Sequence, residues 1–215
     1  MSSTSNIADI RKEYKLKSLL EKDANPDAIK QFDSWWNDAV KSQVEEPNAM
    51  TLATCNKEGK PSARIVLLKG FTSEGFIFFT NYKSRKGEDL ENNNNAALVF
   101  FWKELERQVR IEGIVKKLTD EQSDAYFMIR PEQSRISAWS SPQSQIIKSR
   151  DVLEENFIRY QEQFSDGTII RPPHWGGYIV TPQVIEFWQG RPNRLHDRLQ
   201  YRLLNNKWKI DRLAP

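Results

Sequence analysis

The feature that most restricts this chain's fold is a change of hydrophobic period near residue 49. Before it, Ala28, Ile29, Phe32, Trp35, Trp36, Ala39 and Val40 recur every three or four residues, which places them on one face of a helix. After it, the apolar residues come in short runs separated by polar turns. Strands are expected over 50–55, 62–71, 75–81, 96–102 and 107–117, then over 177–181, 184–189, 198–204 and 208–213. The connections 56–60 and 73–75 are tight, and Asn205-Asn206 suits a two-residue hairpin. Strands this short on turns this tight predict a closed or nearly closed antiparallel barrel with helices between and beside the strands.

The helix signals are local. Asn25-Pro26 reads as a cap followed by proline at the first helical position. An earlier stripe of Ile7, Ile10, Tyr14, Leu19 and Leu20 predicts an amphipathic helix docked on the body. Ser84 caps a short helix from Arg85 to about Glu91, and Thr119-Asp120-Glu121-Gln122 is a capping box for one that Pro131 stops. Residues 133–144 read as irregular or a short helix, and 151–164 as a helix with Val152, Leu153, Phe157 and Tyr160 inward. Without repeats or a domain-sized linker, 25–215 reads as one domain behind an N-terminal segment, 1–24.

Composition narrows the function. With 32 Lys+Arg against 29 Asp+Glu the net charge is only +3, which does not argue for a nucleic-acid partner. A single cysteine, Cys55, allows no internal disulfide, and with only two histidines a structural zinc site is not expected. The start, Met1-Ser2-Ser3-Thr4-Ser5-Asn6, lacks the apolar core of a secretory signal, and no apolar run approaches membrane-spanning length. A cytoplasmic protein without a membrane partner is expected. There is no Gly-rich dinucleotide turn and no Walker loop.

Several clusters could carry chemistry. In an extended 194–198, Arg194, His196 and Arg198 share a side. Such a neighbourhood suits an anion and disfavours protonated imidazole, although a basic hairpin edge that discourages aggregation has the same pattern. Arg64 and Lys69 bracket four apolar residues and would face opposite sides of a regular strand. Arg85 and Lys86 stand in the first turn of a helix, where cations are unfavourable unless an anion binds. Tyr126 and Arg130 lie four apart on one helical face, with Ser134 past the proline, a donor mix that a phosphate favours. Gln143-Ser144 and the distant Gln108 could read the polar edge of a heterocycle. Each cluster alone also fits a solvated surface.

Taken together, RIVLLK (64–69), FTNYKSRK (79–86), FFWKELERQVRIEG (100–113), FWQGRPNRLHDR (187–198) and RLAP (212–215) resemble the pyridoxine/pyridoxamine 5'-phosphate oxidase family, over about 11–215. The resemblance implies an α+β split β-barrel of antiparallel, Greek-key-like strands, a homodimer, and one FMN per subunit at the dimer interface. It implies FMN contacts at Arg64, Ile65, Val66, Leu67, Leu68, Lys69, Phe79, Thr80, Arg85, Lys86, Gln108, Gln143, Ser144, Trp188 and Arg198. It implies substrate contacts at Lys69, Tyr126, Arg130 and Ser134, with Arg194, Leu195 and His196 over the pyridine ring and Arg11, Lys12, Glu13 and Tyr14 closing over it. Arg194 and His196 are the implied catalytic pair. The implied reaction is oxidation of pyridoxamine and pyridoxine 5'-phosphates to pyridoxal 5'-phosphate, with O2 as acceptor. One stretch departs from the pattern: Arg135-Ile136-Ser137 stands where the family has Gln-Ile-Gly, so the backbone at Ser137 must not need positive φ. Another split-barrel flavoprotein, or a module that stacks single-stranded nucleic acid on its aromatics, is the alternative.

Overall fold

The structure is a computed structural model and describes residues 6–7 and 12–215. Its strands are β1 (Ala49–Cys55), β2 (Pro61–Leu67), β3 (Gly70–Thr72), β4 (Gly75–Asn81), β5 (Asn95–Trp102), β6 (Arg107–Lys117), β7 (Trp175–Gln189), β8 (Asp197–Leu204) and β9 (Lys207–Arg212). The helices are α1 (Ala28–Lys41), α2 (Arg85–Asn92), α3 (Asp120–Met128), α4 (Glu132–Ser140) and α5 (Asp151–Gln163). The strands form one mainly antiparallel sheet in the order β2-β1-β5-β6-β7-β4-β3, with β8 on β7 and β9 on β8. The chain packs as two compact units.

The first unit holds the described residues up to Pro47, with Val99–Ile111 and Val184–Pro215. Its core is aromatic. Phe32 of α1 meets Phe100 at 5.3 Å and Trp102 at 6.0 Å, and Trp35 meets Phe187 edge-on at 5.2 Å. Burying each such ring contributes about 1.5–3 kcal/mol, which is why the helical face dominates this unit. Asp27 caps α1 by accepting the N–H groups of Ile29 and Lys30. The β8–β9 hairpin closes on Asn205-Asn206, whose φ values of 48° and 59° suit a tight hairpin turn.

The second unit holds Asn48–Leu98 and Glu112–Gln183. Here β1 pairs with β2, and β4 pairs with β3 and with the start of β7. Phe127, Ile136, Ile169 and Trp175 form a second core beneath α3, α4 and α5. Arg171 ties down the connection before β7: it pairs with Asp120 at 2.6 Å and Asp124 at 2.5 Å and donates to the Trp175 carbonyl at 2.7 Å. Among the described residues no helix is long and apolar enough to cross a membrane.

Six expectations need correction. Residues 12–20 form no helix; their N–H groups at Lys15, Leu16 and Leu19 go to the carboxylates of Glu106 and Asp197. The cap of α1 is Asp27, because Asn25 spends its side-chain oxygen on the Asp27 N–H. The expected 62–71 strand breaks after Leu67, and Pro182 does not break β7, which runs through it. Residues 192–194 form a 3-10 turn with Asn193 at φ 57° and Arg194 at φ 60°, so Arg194, His196 and Arg198 do not alternate along one strand. The break in the second strand also removes the expected opposition of Arg64 and Lys69, as the site shows.

Candidate functional site

In the second unit, β2, the β2–β3 link, the end of β4 and the start of α2 enclose a cavity of about 590 Å³. Arg64, Ile65, Val66, Leu67, Lys69, Phe79, Thr80, Arg85, Lys86, Gln143 and Ser144 line it, with Ser62 and Ala63. Among the described residues, four cations and no carboxylate therefore face one space. Ending β2 at Leu67 is what brings Lys69 to the same side as Arg64, while Leu68 turns inward at 5% exposure and does not line it.

The cations are held differently. Arg64 donates to the Leu52 carbonyl at 3.2 Å, Thr54 Oγ1 at 2.7 Å and Ser62 Oγ at 2.5 Å, with the Asp89 carboxylate at 3.9 Å. Burial lowers its pKa despite Asp89. Lys86 is only 8% exposed, and its Nζ donates to Thr80 Oγ1, Ser84 Oγ and Gln143 Oε1 at 3.1–3.3 Å. Every one of these partners is neutral. Burial first, and then Arg64, pushes the Lys86 ammonium down to about 8. A buried cation without a counter-charge is costly unless a ligand anion supplies it. Ser84 caps α2 through the Gly87 N–H, so the helix start adds its own partial positive charge beside Arg85 and Lys86.

Beside the cavity, Phe79 stacks on Tyr126 at 3.9 Å and on Trp175 at 5.5 Å. The Arg130 guanidinium lies 4.5 Å from the Trp175 ring centre, and its Nη1 is buried with no hydrogen-bond partner among the described residues. An orphaned guanidinium nitrogen held against an aromatic plate is another donor in want of an acceptor. Ser134 is half-buried on α4. Ser137 falls inside α4, outside the positive-φ residues, and its Oγ donates to the Gln133 carbonyl at 2.8 Å. The departure from Gly at this position therefore causes no backbone strain.

The first unit holds a separate cavity of about 690 Å³, lined by Lys12, Glu13, Tyr14, Arg191, Asn193, Arg194 and His196. Arg191 and Asn193 were missed in the sequence because only the folded turn brings them inward. Leu195 points away at 69% exposure, and Arg11 lies outside the described residues. His196 Nδ1 accepts the Arg191 N–H at 3.1 Å, which leaves the ring proton on Nε2. Burial, then Arg194, lowers its pKa, so the neutral ring is favoured. Its ring packs on Trp188 at 4.5 Å and near Tyr14 at 6.1 Å. Gln108 is half-buried on β6. Arg198 is occupied: Glu186, 4% exposed, takes it at 2.9 Å and 3.1 Å.

The sheet order and the cationic cavity place the chain in the split-barrel class. A crystal structure from Nostoc punctiforme, of a pyridoxamine 5'-phosphate oxidase-related, FMN binding protein, shares the fold, with a TM-score of 0.68 at 17% identity over 87% of this chain and 97% of that one. PhzG from Burkholderia lata 383, solved with tetrahydrophenazine-1-carboxylic acid, gives a TM-score of 0.87 at 29% identity over 93% and 99%. Residues 36–164 match the family described as Pyridoxamine 5'-phosphate oxidase, and 175–215 match the Pyridoxine 5'-phosphate oxidase C-terminal dimerisation region. The pyridoxine/pyridoxamine 5'-phosphate oxidase of a Cyanothece species is 55% identical over 99% of this chain and 100% of its own, and that of Cupriavidus necator 55% identical over 97% and 99%. This chain belongs to the pyridoxine/pyridoxamine 5'-phosphate oxidase family and is an oxidoreductase.

Proposed function

We propose that this protein oxidises pyridoxamine 5'-phosphate and pyridoxine 5'-phosphate to pyridoxal 5'-phosphate, as a cytoplasmic homodimer using FMN. The observation that carries the reading is the cavity of the second unit, where, among the described residues, four cations meet no carboxylate and Lys86 is buried among neutral partners. Arg64, Arg85 and Lys86 would hold the FMN phosphate, and Ile65, Val66, Leu67, Phe79, Thr80, Gln143 and Ser144 would shape the rest of its seat. The family resemblance adds Leu68, Gln108, Trp188 and Arg198 to that set, and the dimerisation region at 175–215 supports the homodimer. Residues 25–215 would act as one FMN-binding domain, with 1–24 as its N-terminal segment.

Substrate would be bound through its own phosphate by Lys69, Tyr126, Arg130 and Ser134, with Arg130 already desolvated and lacking an acceptor for Nη1. FMN held by these residues would supply the two-electron redox chemistry, so that the substrate is oxidised at C4' by loss of a hydride and a proton while O2 is reduced to H2O2. The amine substrate also consumes water and releases ammonia, so both reactions balance. Arg194 would fix the ring, and His196, neutral with its proton on Nε2, would donate to it rather than act as a base. Tyr14 and its neighbours would exclude water above. Orienting groups in this way can remove several kcal/mol of barrier. The chain's low net charge gives no support to the nucleic-acid alternative.

The test is steady-state turnover of purified protein with added FMN. Pyridoxal 5'-phosphate and H2O2 should appear in equal amounts from either substrate, with ammonia from the amine alone. No product from either ester in the presence of FMN would refute the proposal.

A further inference from the structure

We infer that Glu106 is a positioning residue: its carboxylate latches the 12–16 segment in place as one wall of the cavity that contains Arg194 and His196. All the contacts lie within the first unit. Glu106 is 2% exposed and follows a 3-10 turn with φ 54°. A non-glycine residue in that region costs about 1–2 kcal/mol, so its surroundings must hold it there. They hold it from both sides. Its Oε2 accepts the N–H groups of Lys15 at 2.8 Å and Leu16 at 3.1 Å, and its Oε1 meets Lys12 Nζ at 3.3 Å. Its carbonyl accepts the Gly190 N–H at 2.8 Å and the Gln189 amide at 3.2 Å. One residue thus joins the segment to the turn that carries Arg191, Asn193 and Arg194.

Gly190 completes the seat. A Cβ there would fall 2.7 Å from Tyr14 Cγ, so the Tyr14 ring rests on bare backbone. From that seat the ring meets Trp188 edge-on at 5.7 Å and His196 at 6.1 Å. The 12–20 stretch has no helix or strand of its own, so nothing internal holds its shape. Asp197 anchors its far end by accepting the Leu19 N–H at 3.0 Å. With Glu106 removed, residues 12–16 are free to swing about Leu19 and open the cavity. Water satisfies the same N–H groups on an open segment, so the buried carboxylate decides which state is populated.

The inference rests on reading this cavity as the substrate's, and its test has one readout that does not. Glu106→Ala removes the latch. Lys15→Pro removes one latched N–H from an exposed position and leaves the core untouched. In limited trypsin digestion of the full-length FMN-loaded protein, cutting after Lys12 and Lys17 should quicken about tenfold in both variants, the loss expected for bonds to a charged acceptor. In the turnover assay, KM for pyridoxamine 5'-phosphate should rise about tenfold with kcat within about threefold. Glu106→Gln keeps an oxygen for both N–H groups and should restore both readouts to within about threefold. Wild-type digestion and KM in both variants would overturn the inference, as would Glu106→Gln behaving like Glu106→Ala. Should the wild type turn over neither ester, the functional reading falls, and the digestion rates alone decide the latch.

Discussion

Replacing Lys86 by Met should erase a pH dependence that the wild-type protein owes to one buried ammonium. Burial, with Arg64 beside it, lowers this group from 10.5 to about 8. At about 1.4 kcal/mol per pH unit, the charged form is about 3 kcal/mol costlier in the fold than in water. Between pH 8 and 10.5 the unfolded chain keeps a proton that the flavin-free fold has released. Stability of the flavin-free protein should therefore rise with pH across that window, by up to about 3 kcal/mol, and show no Lys86-dependent slope below it, where the full penalty persists. An anion in the cavity restores the charge, so flavin binding takes up a proton above pH 8. Affinity should then fall about tenfold per pH unit. Quenching of flavin fluorescence by flavin-free protein between pH 7 and 9.5, with denaturant midpoints over the same range, measures both slopes. Lys86→Met should bind flavin less tightly at pH 7 and show neither slope. Flat wild-type curves above pH 8 would refute the account of Lys86 as a buried cation awaiting an anion.

Three further outcomes follow from particular contacts. Gly87→Ala places a Cβ 2.1 Å from the Tyr82 carbonyl oxygen, so thermal unfolding should show a loss of about 1–3 kcal/mol or more. Arg130→Met should raise KM for the phosphate esters at least tenfold while leaving the melting temperature unchanged or higher, because it removes a buried donor without a partner; a drop in stability with unchanged KM would contradict the assigned role. Arg194→Ala should lose far more turnover than Arg202→Ala, whose exposed side chain pairs with Asp211 at 2.7 Å; equal steady-state kinetics would remove Arg194 from the site.

The parts of this fold that were legible in the sequence are those set by near neighbours. β4 and β6 begin and end where alternation and turn residues put them, and the Thr119 capping box and the Ser84 cap are both formed. The cationic helix start was legible because its physics is local to one turn, and Arg85 and Lys86 do line one cavity. What escaped depends on distant partners. The stripe through Ile7, Tyr14 and Leu19 looked helical, yet the N–H groups at 15, 16 and 19 find carboxylates about 90 and 178 residues away. Glu106 gave no signal, since a glutamate inside Leu-Glu-Arg reads as a surface charge until its burial is seen. Strict alternation also misplaced Arg194 and Lys69. Each lies just off a strand, where a turn re-aims the side chain.

The central claim is that this chain binds a flavin that a vitamin B6 phosphate ester can reduce. Its most direct measurement is the visible spectrum of purified, FMN-loaded protein before and after anaerobic addition of pyridoxamine 5'-phosphate. The account predicts that the yellow absorbance bleaches and returns on admitting air, with pyridoxal 5'-phosphate released. A flavin that stays oxidised under excess ester, or a protein that takes up no FMN, would contradict it.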